Sequence, residues 1–304
     1  MSEAITESLN PATAAIDTLS SLEIVRLINQ EDARVASAVQ AELAHIARAV
    51  DIIVERLESG GRLFYFGAGT SGRLGVLDAS ELAPTYSTPP GLVQAFIAGG
   101  DRALRQAVEA AEDDAAGGRQ AADEAGVGEG DVVVGITASG GAPWVLGAVD
   151  AARQRGAATI AVVCNPDGAL ASQVDVAIAP VVGPEVIAGS SRMKAGSAQK
   201  MVLNMLSTAA MIRLGKVYGN MMVDMRASNQ KLRRRALDIV QKITGTSTQT
   251  ARQALQASGY EIKPALVMLL ADVSLEDARR RLEQAGGQMR AALGEQSSST
   301  KSDP

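Results

Sequence analysis

An apolar stretch, Arg62 to Phe66, runs directly into Gly67-Ala68-Gly69-Thr70-Ser71-Gly72-Arg73, and the helix-forming segment Leu74 to Leu82 follows at once. Strand, glycine-rich turn, helix is the order in which an open α/β sheet builds an anion pocket. Glycines let the backbone come close, and the unpaired N–H groups at the helix start face the guest. Thr70 and Ser71 add two hydroxyls, and a carboxylate, Glu81, follows within Asp78-Ala79-Ser80-Glu81. An anion cradle beside an acid points to chemistry on a phosphorylated small molecule.

The rest of the chain agrees with such a sheet. Further apolar runs fall at Val93–Ala98, Val132–Ala138, Thr159–Cys164 and Val174–Val181. Helical patterns at Gly72–Leu82, Ala103–Asp113 and Pro143–Arg155 separate most of them. The runs are continuous rather than alternating, which predicts a doubly wound, five-stranded parallel sheet covered on both faces. Ligands of such sheets sit beyond the carboxyl ends of the strands. Loops of small residues fall there at Gly67–Gly72, Ser139–Gly141 and Asn165–Gly168, the last reading as a turn.

Four spans are expected. Residues 1–59 form an N-terminal helical segment, with 1–18 loosely ordered, a helix capped at Ser20 or Ser21, and a second over Asp32–Leu57. Residues 60–224 hold the sheet and a long helical stretch rich in Met, Leu and Ala. Residues 225–293 form a small helical domain with short helices at Thr250–Ser258, Lys263–Ala271 and Ser274–Ala285. Residues 294–304 are a polar, disordered tail.

Composition removes several function classes. Aromatic residues make up 3% of the 304 and the net charge is −5, which disfavours nucleic acid and anionic membranes as partners. The single cysteine, Cys164, leaves no intramolecular disulfide and fits a reducing compartment. The first residues lack the basic and apolar segments of a secretory signal, and no apolar run approaches the about 20 residues of a membrane span. A cytoplasmic protein is expected. One histidine, His45, and one cysteine leave no zinc site and no Ser-His-Asp triad. Mid-helix, His45 reads as a surface or packing residue. Acid–base chemistry must then run on carboxylates, with Lys or Tyr as further options.

Gly69, Thr70, Ser71 and Gly72 are the first anion-binding candidates. The loop is no P-loop, because no Gly-Lys-Ser/Thr follows its glycines. It matches the Gly-x-Gly-x-x-Gly dinucleotide spacing but lacks a well-placed acid about 20 residues downstream. Ser139 and Gly140, in Thr137-Ala138-Ser139-Gly140-Gly141, form a second cradle or an ordinary strand-to-helix turn. Glu112, Asp113 and Asp114 read as the end of the 103–113 helix, where negative charge is unfavourable unless solvated or used. Glu185, in the apolar loop Val182-Gly183-Pro184-Glu185-Val186, is a further candidate.

The block Gly67 to Glu81 resembles the signature of the N-acetylmuramic acid 6-phosphate etherases, a family of the sugar isomerase (SIS) superfamily. Also similar are Asp131 to Ile136, Cys164-Asn165-Pro166-Asp167, Val181 to Val186, Lys194 to Lys200, Leu203 to Thr208, Gly215 to Tyr218 and Met222 to Met225. The resemblance implies an SIS phosphosugar-binding domain over 60–224. It also implies cleavage of the D-lactyl ether of a phosphorylated amino sugar in cell-wall recycling, with no cofactor or metal, by a homodimer. It places Glu81 at the family's proton-donor position and Glu112 at the second catalytic position, read here as the base. Gly69, Thr70, Ser71, Gly72, Ser139, Gly140, Glu185, Ser190 and Ser191 are expected to bind substrate. One departure stands out: the family's Ser-Gly-Arg-Thr-Pro is here Ser139-Gly140-Gly141-Ala142-Pro143, so a guanidinium and a hydroxyl are missing. Two other readings share the fold: an aldose–ketose phosphosugar isomerase, and a phosphosugar-sensing regulator like the glucokinase regulatory proteins.

Overall fold

Strands β1 (Leu63–Gly67), β2 (Val93–Ile97), β3 (Val132–Ile136), β4 (Ala158–Val162) and β5 (Val176–Ile178) pair in parallel in the order β2-β1-β3-β4-β5. Every residue of β1, β3 and β4 is buried, as their unbroken apolar runs require. The computed structural model describes residues 5–108, 110–225, 227 and 229–295. It divides into one compact unit of residues Met1–Ser80 with Pro90–Ala210 and a second of Glu81–Pro89 with Met211–Pro304.

The first unit holds the sheet. Helices α1 (Ser21–Asp32), α2 (Val35–Gln40) and α3 (Leu43–Glu58) precede it. Helix α4 (Gly69–Tyr86) follows β1; α5 (Gly100–Ala103) and α6 (Ala115–Glu124) follow β2; α7 (Pro143–Gln154) follows β3; and α8 (Lys194–Arg213) follows β5. One core packs Phe64, Phe66, Val133 and Ala161 of the sheet against Trp144, Val145 and Val149 of α7.

Three expectations fail, each for a local reason. The helix expected over 32–57 breaks in two at Ala41–Glu42, where Glu42 leaves helical geometry and its carboxylate accepts from the Ala179 N–H (3.0 Å) and pairs with His45 (2.8 Å). The segment before α1 is tied down rather than loose. Its described part forms 3-10 turns, with Asn10 Nδ2 donating to Glu31 (3.0 Å) and Thr13 Oγ1 donating to the Val186 carbonyl (2.8 Å).

The third failure concerns the acids. No helix runs over 103–113. After α5 the chain turns, Ala110 adopts a left-handed φ of 61°, and Glu112 sits in a short 3-10 turn, Ala111–Asp113, that leads into α6. Asp114 caps α6 by accepting from the Gly117 N–H at 2.8 Å. The acids therefore precede a helix instead of ending one. The pair Gly117-Gly118 hides α6 from a propensity reading. Gly118 is glycine for packing: a Cβ there would lie 1.8 Å from the Trp144 carbonyl oxygen of α7.

The second unit has its own core. A hairpin of β6 (Val217–Tyr218) and β7 (Met221–Met222) leads to α9 (Gln230–Thr244), α10 (Thr248–Ala257), α11 (Ile262–Ala271), α12 (Leu275–Gln284) and α13 (Met289–Ala292). Val240, Leu255, Leu266, Leu282 and Met289 pack at its centre. Ser274 caps α12 as its spacing from Asp277 predicts, accepting from the Asp277 N–H at 3.1 Å. Most of the tail expected at 294–304 lies outside the described residues.

Candidate functional site

The glycine-rich loop builds a nest at the carboxyl end of β1. Gly69 has a φ of +54° and opens α4, and a Cβ on Gly72 would lie 2.6 Å from Ile97 Cγ1 and 2.7 Å from the Gly67 carbonyl oxygen. Only glycine at position 72 lets the helix start this close to the strand. The first turn of α4 has N–H groups without partners inside the helix, and their dipole favours an anion. Thr70 is half-buried beside this turn. Ser71 is buried, and its hydroxyl donates to Gln199 Oε1 of α8 at 2.9 Å.

The second loop leaves the neighbouring strand. Gly67 of β1 and Ile136 of β3 stand side by side in register, so the Gly67–Gly72 and Ser139–Gly141 loops leave the same end of adjacent strands. Ser139 Oγ accepts from the Gly141 N–H at 3.2 Å and does not cap α7. Asn165–Gly168 closes as a turn, with the Gly168 N–H donating to the Asn165 carbonyl (3.1 Å). Asn165 Nδ2 braces the Ser139 carbonyl at 3.4 Å.

The start of α8 joins the first nest. Ser190 and Ser191 are half-buried in the turn before α8, where the Gly196 N–H donates to the Ser191 carbonyl (2.9 Å). The Cβ position of Gly196 lies 3.4 Å from Thr70 Cγ2. Gly69–Gly72, the Ser190–Ser191 turn and Gln199 are thereby brought together. Glu185 is fully buried, and its two carboxylate oxygens accept from the backbone N–H groups of Lys194 (3.0 Å) and Ala195 (2.9 Å). It caps α8, a favourable place for negative charge. Its link to the nest runs through the first turn of that helix.

The two candidate catalytic acids lie on different elements. Glu81 is exposed on α4, in the part of that helix assigned to the second unit. Glu112 belongs to the first unit, in the 3-10 turn that packs on α7. The residue is exposed as a whole, yet its carboxyl is partly shielded and raised above the ordinary value of 4.5, first by that partial burial and then by the adjacent charge of Asp113.

The sequence does not single out a third acid. Asp78 of α4 is buried and accepts from the Tyr65 hydroxyl (3.1 Å), Asn204 Nδ2 (2.8 Å) and the Ser207 hydroxyl (3.0 Å). Burial raises its carboxyl above 3.8 against the pull of these donors and of Lys200. Gly75, Asp78 and Leu82 are spaced on one buried helix face, which is the signal that an acid here must be enclosed. The single thiol is no nucleophile. Cys164 is buried, and burial with the nearby charge of Glu185 pushes it up to about 12. His45 is exposed and paired with Glu42.

Comparison with known proteins fits this geometry. A family profile described as SIS domain matches residues 116–209. Profiles described as the N-terminal SIS domain and the C-terminal lid domain of glucokinase regulatory protein match residues 45–153 and 219–265. The N-acetylmuramic acid 6-phosphate etherase of Symbiobacterium thermophilum is 61% identical over 270 residues, covering 88% of this chain and 89% of its own. That of Serratia proteamaculans is 53% identical over 289 residues, covering 95% and 97%. The chain belongs to the N-acetylmuramic acid 6-phosphate etherase family. Among solved structures, a phosphoheptose isomerase from Francisella tularensis shares the fold, with a TM-score of 0.50 at 22% identity over 64% of this chain and all of that one.

Proposed function

We propose that this protein is a carbon–oxygen lyase that cleaves the D-lactyl ether of N-acetylmuramic acid 6-phosphate, giving N-acetylglucosamine 6-phosphate and D-lactate. The observation that supports this above all is the 53–61% identity to etherases over nearly the whole chain. The nest at the start of α4 supports the phosphorylated end of the substrate: converging backbone N–H groups and the hydroxyls of Thr70 and Ser71 suit a phosphate monoester. Ser139, Gly140, Ser190 and Ser191 complete the binding set in this reading, and Glu185 positions the last two by capping α8.

An ether oxygen leaves poorly, so the reaction needs an activated neighbour. In the open-chain sugar the C1 aldehyde acidifies the C2 proton. Glu112, as carboxylate, takes that proton. The electron pair forms a C2–C3 double bond, the C3–O bond breaks, and Glu81, as carboxylic acid, gives its proton to the departing lactate oxygen. Water then adds at C3 and a proton returns to C2. One base and one acid suffice when their environments hold them in opposite protonation states. The raised carboxyl makes Glu112 a stronger base once ionised, and the assignment of base to Glu112 and acid to Glu81 rests on the family resemblance.

In this reading the enzyme serves cell-wall sugar recycling in the cytoplasm as a homodimer. Exposed apolar side chains at Leu22, Val25, Leu43, Val181 and Ile187 support a partner surface. Among the described residues no helix is long and apolar enough to cross a membrane. Incubation with N-acetylmuramic acid 6-phosphate and enzymatic assay of D-lactate tests the reaction, and an aldose–ketose isomerase or a sensor would release none. Glu81→Gln should abolish release while leaving phosphosugar binding measurable by calorimetry. Full turnover in that variant would remove Glu81 from the mechanism.

A further inference from the structure

Among the described residues two buried polar side-chain atoms have no hydrogen-bond partner, Thr6 Oγ1 and Gln199 Nε2. The second lies in the nest. Gln199 stands in the second turn of α8, is 1% exposed, and holds Ser71 through Oε1 at 2.9 Å. The nitrogen of the same amide carries two N–H donors and meets no acceptor. An enclosed donor without an acceptor is unfavourable, and leucine or methionine would fill a similar volume with no such group. The partner of Gln199, Ser71, belongs to the first turn of α4, whose opening N–H groups lack partners within the helix, and Gly196 of α8 abuts the Thr70 side chain. A helix start with free donors and an enclosed donor in reserve beside it suits a guest with several acceptor oxygens.

We propose that Gln199 is a ligand-binding residue, whose Nε2 donates to an oxygen of the phosphoryl group of the bound phosphosugar. Its Oε1 holds the Ser71 hydroxyl. When the phosphoryl group enters, the Ser71 proton turns to one of its oxygens and Gln199 Nε2 takes another. No bond is made or broken, and the only change is in which acceptors the two side chains face. The inference rests on the phosphosugar reading of this nest and adds a recognition residue that α8 supplies to it.

The test uses two substitutions and two probes. Gln199→Glu keeps an acceptor for Ser71 but replaces the donor with a charged oxygen. Gln199→Leu keeps the bulk and removes both. Binding of N-acetylglucosamine 6-phosphate and of inorganic phosphate is measured by calorimetry, and the melting temperature by scanning calorimetry. Both variants should bind each probe at least tenfold more weakly than the natural protein. The loss in Gln199→Glu should shrink as the pH is lowered and the introduced carboxyl takes up a proton. Gln199→Leu relieves an unpaired donor but also strips Ser71 of its acceptor, so its melting temperature serves to show that it folds. A residue that merely braces Ser71 would leave Gln199→Glu, with its acceptor intact, binding within twofold of normal. That result overturns the proposal. If the natural protein binds neither probe, the phosphosugar reading itself falls, and the role of Gln199 with it. Should a variant fail to fold, a crystal structure of the natural protein with N-acetylglucosamine 6-phosphate bound decides: a phosphoryl oxygen within hydrogen-bond distance of Nε2 is expected, and its absence overturns the assignment.

Discussion

Lys194 and Glu31 form an enclosed ion pair, with Nζ 2.6 Å from Oε2 and side chains that are 0% and 3% exposed. The pair ties the first residue of α8 to α1, and Asn10 adds a second donor to the same Glu31 oxygen at 3.0 Å. Burial alone would disfavour a charged Glu31, but Lys194, the Asn10 hydrogen bond and the charge of Arg34 together outweigh it and hold the carboxyl below 4.5. Removing one partner leaves the other charge buried without compensation. Glu31→Ala is therefore expected to cost about 3 kcal/mol in urea unfolding. The double substitution Glu31→Leu with Lys194→Met should cost less than either single change. Because the folded value is depressed, the stabilisation is complete above the unfolded carboxyl's value and is lost as pH falls through the lower folded one. A double variant no more stable than the singles would show that the two charges do not act on each other.

Asp78 follows the opposite sign. Its carboxyl is raised in the folded protein, so its contribution is full below 3.8 and is lost as pH climbs through the higher folded value. Asparagine at this position can keep Oδ1 toward Asn204 and Ser207 and turn Nδ2 to the Tyr65 oxygen. Asp78→Asn is expected to stay within about 1 kcal/mol of the natural protein at neutral pH. The stability difference, natural protein minus variant, should fall as pH rises from about 4 and then level off. Urea titrations at a series of pH values measure it, and a difference that is flat or rising with pH would reject the assignment.

These two carboxylates mark the limit of what the sequence makes legible. The sheet, its parallel pairing and the nest at Gly67–Gly72 can be read directly, because uninterrupted apolar strands and a glycine-hydroxyl loop are local patterns. The turn that holds Glu112 cannot. Its geometry depends on the left-handed Ala110, and α6 behind it depends on Gly118 fitting under Trp144, a contact between residues far apart in the chain. The part of Glu185 is hidden for the same reason: an acid in an apolar loop announces burial but not that its partners are two backbone N–H groups. Gln199 stands in a motif that the family resemblance picks out, yet nothing in that string says that half its amide is unpaired.

The protonation of Glu112 sets an expectation for rate against pH. In the proposed mechanism it is the base and must be ionised, so kcat/KM should fall as pH drops through its raised value, and the acid limb should lie above that of an ordinary glutamate. Burial is the larger cause and Asp113 the smaller. Asp113→Asn should therefore move the limb to lower pH without bringing it to the ordinary value. A limb that stays in place would mean that Glu112 is not the group being titrated or that Asp113 does not act on it.

The missing guanidinium at position 141 offers a gain-of-function test of the second loop. Gly141 is exposed, and a Cβ there would meet only Ser139 Oγ at 3.7 Å, an ordinary contact, so an arginine can be accommodated. Ala142, by contrast, is buried, and a larger residue there would crowd the start of α7. In the phosphosugar reading the loop lies beside the α4 nest on the neighbouring strand end, within reach of an anion held there. A charge-assisted hydrogen bond to a phosphoryl oxygen contributes about 1.5–3 kcal/mol where it is partly shielded from water. At such an open position the lower end applies, or about tenfold in affinity. Gly141→Arg is expected to lower KM for the phosphosugar by up to that factor with kcat nearly unchanged, because the phosphoryl group is remote from the bond that breaks and is held equally in ground and transition states. Raising the salt concentration should erode the gain. Steady-state kinetics with D-lactate as readout measures it. A raised KM or a changed kcat would show that the loop does not face the phosphoryl group.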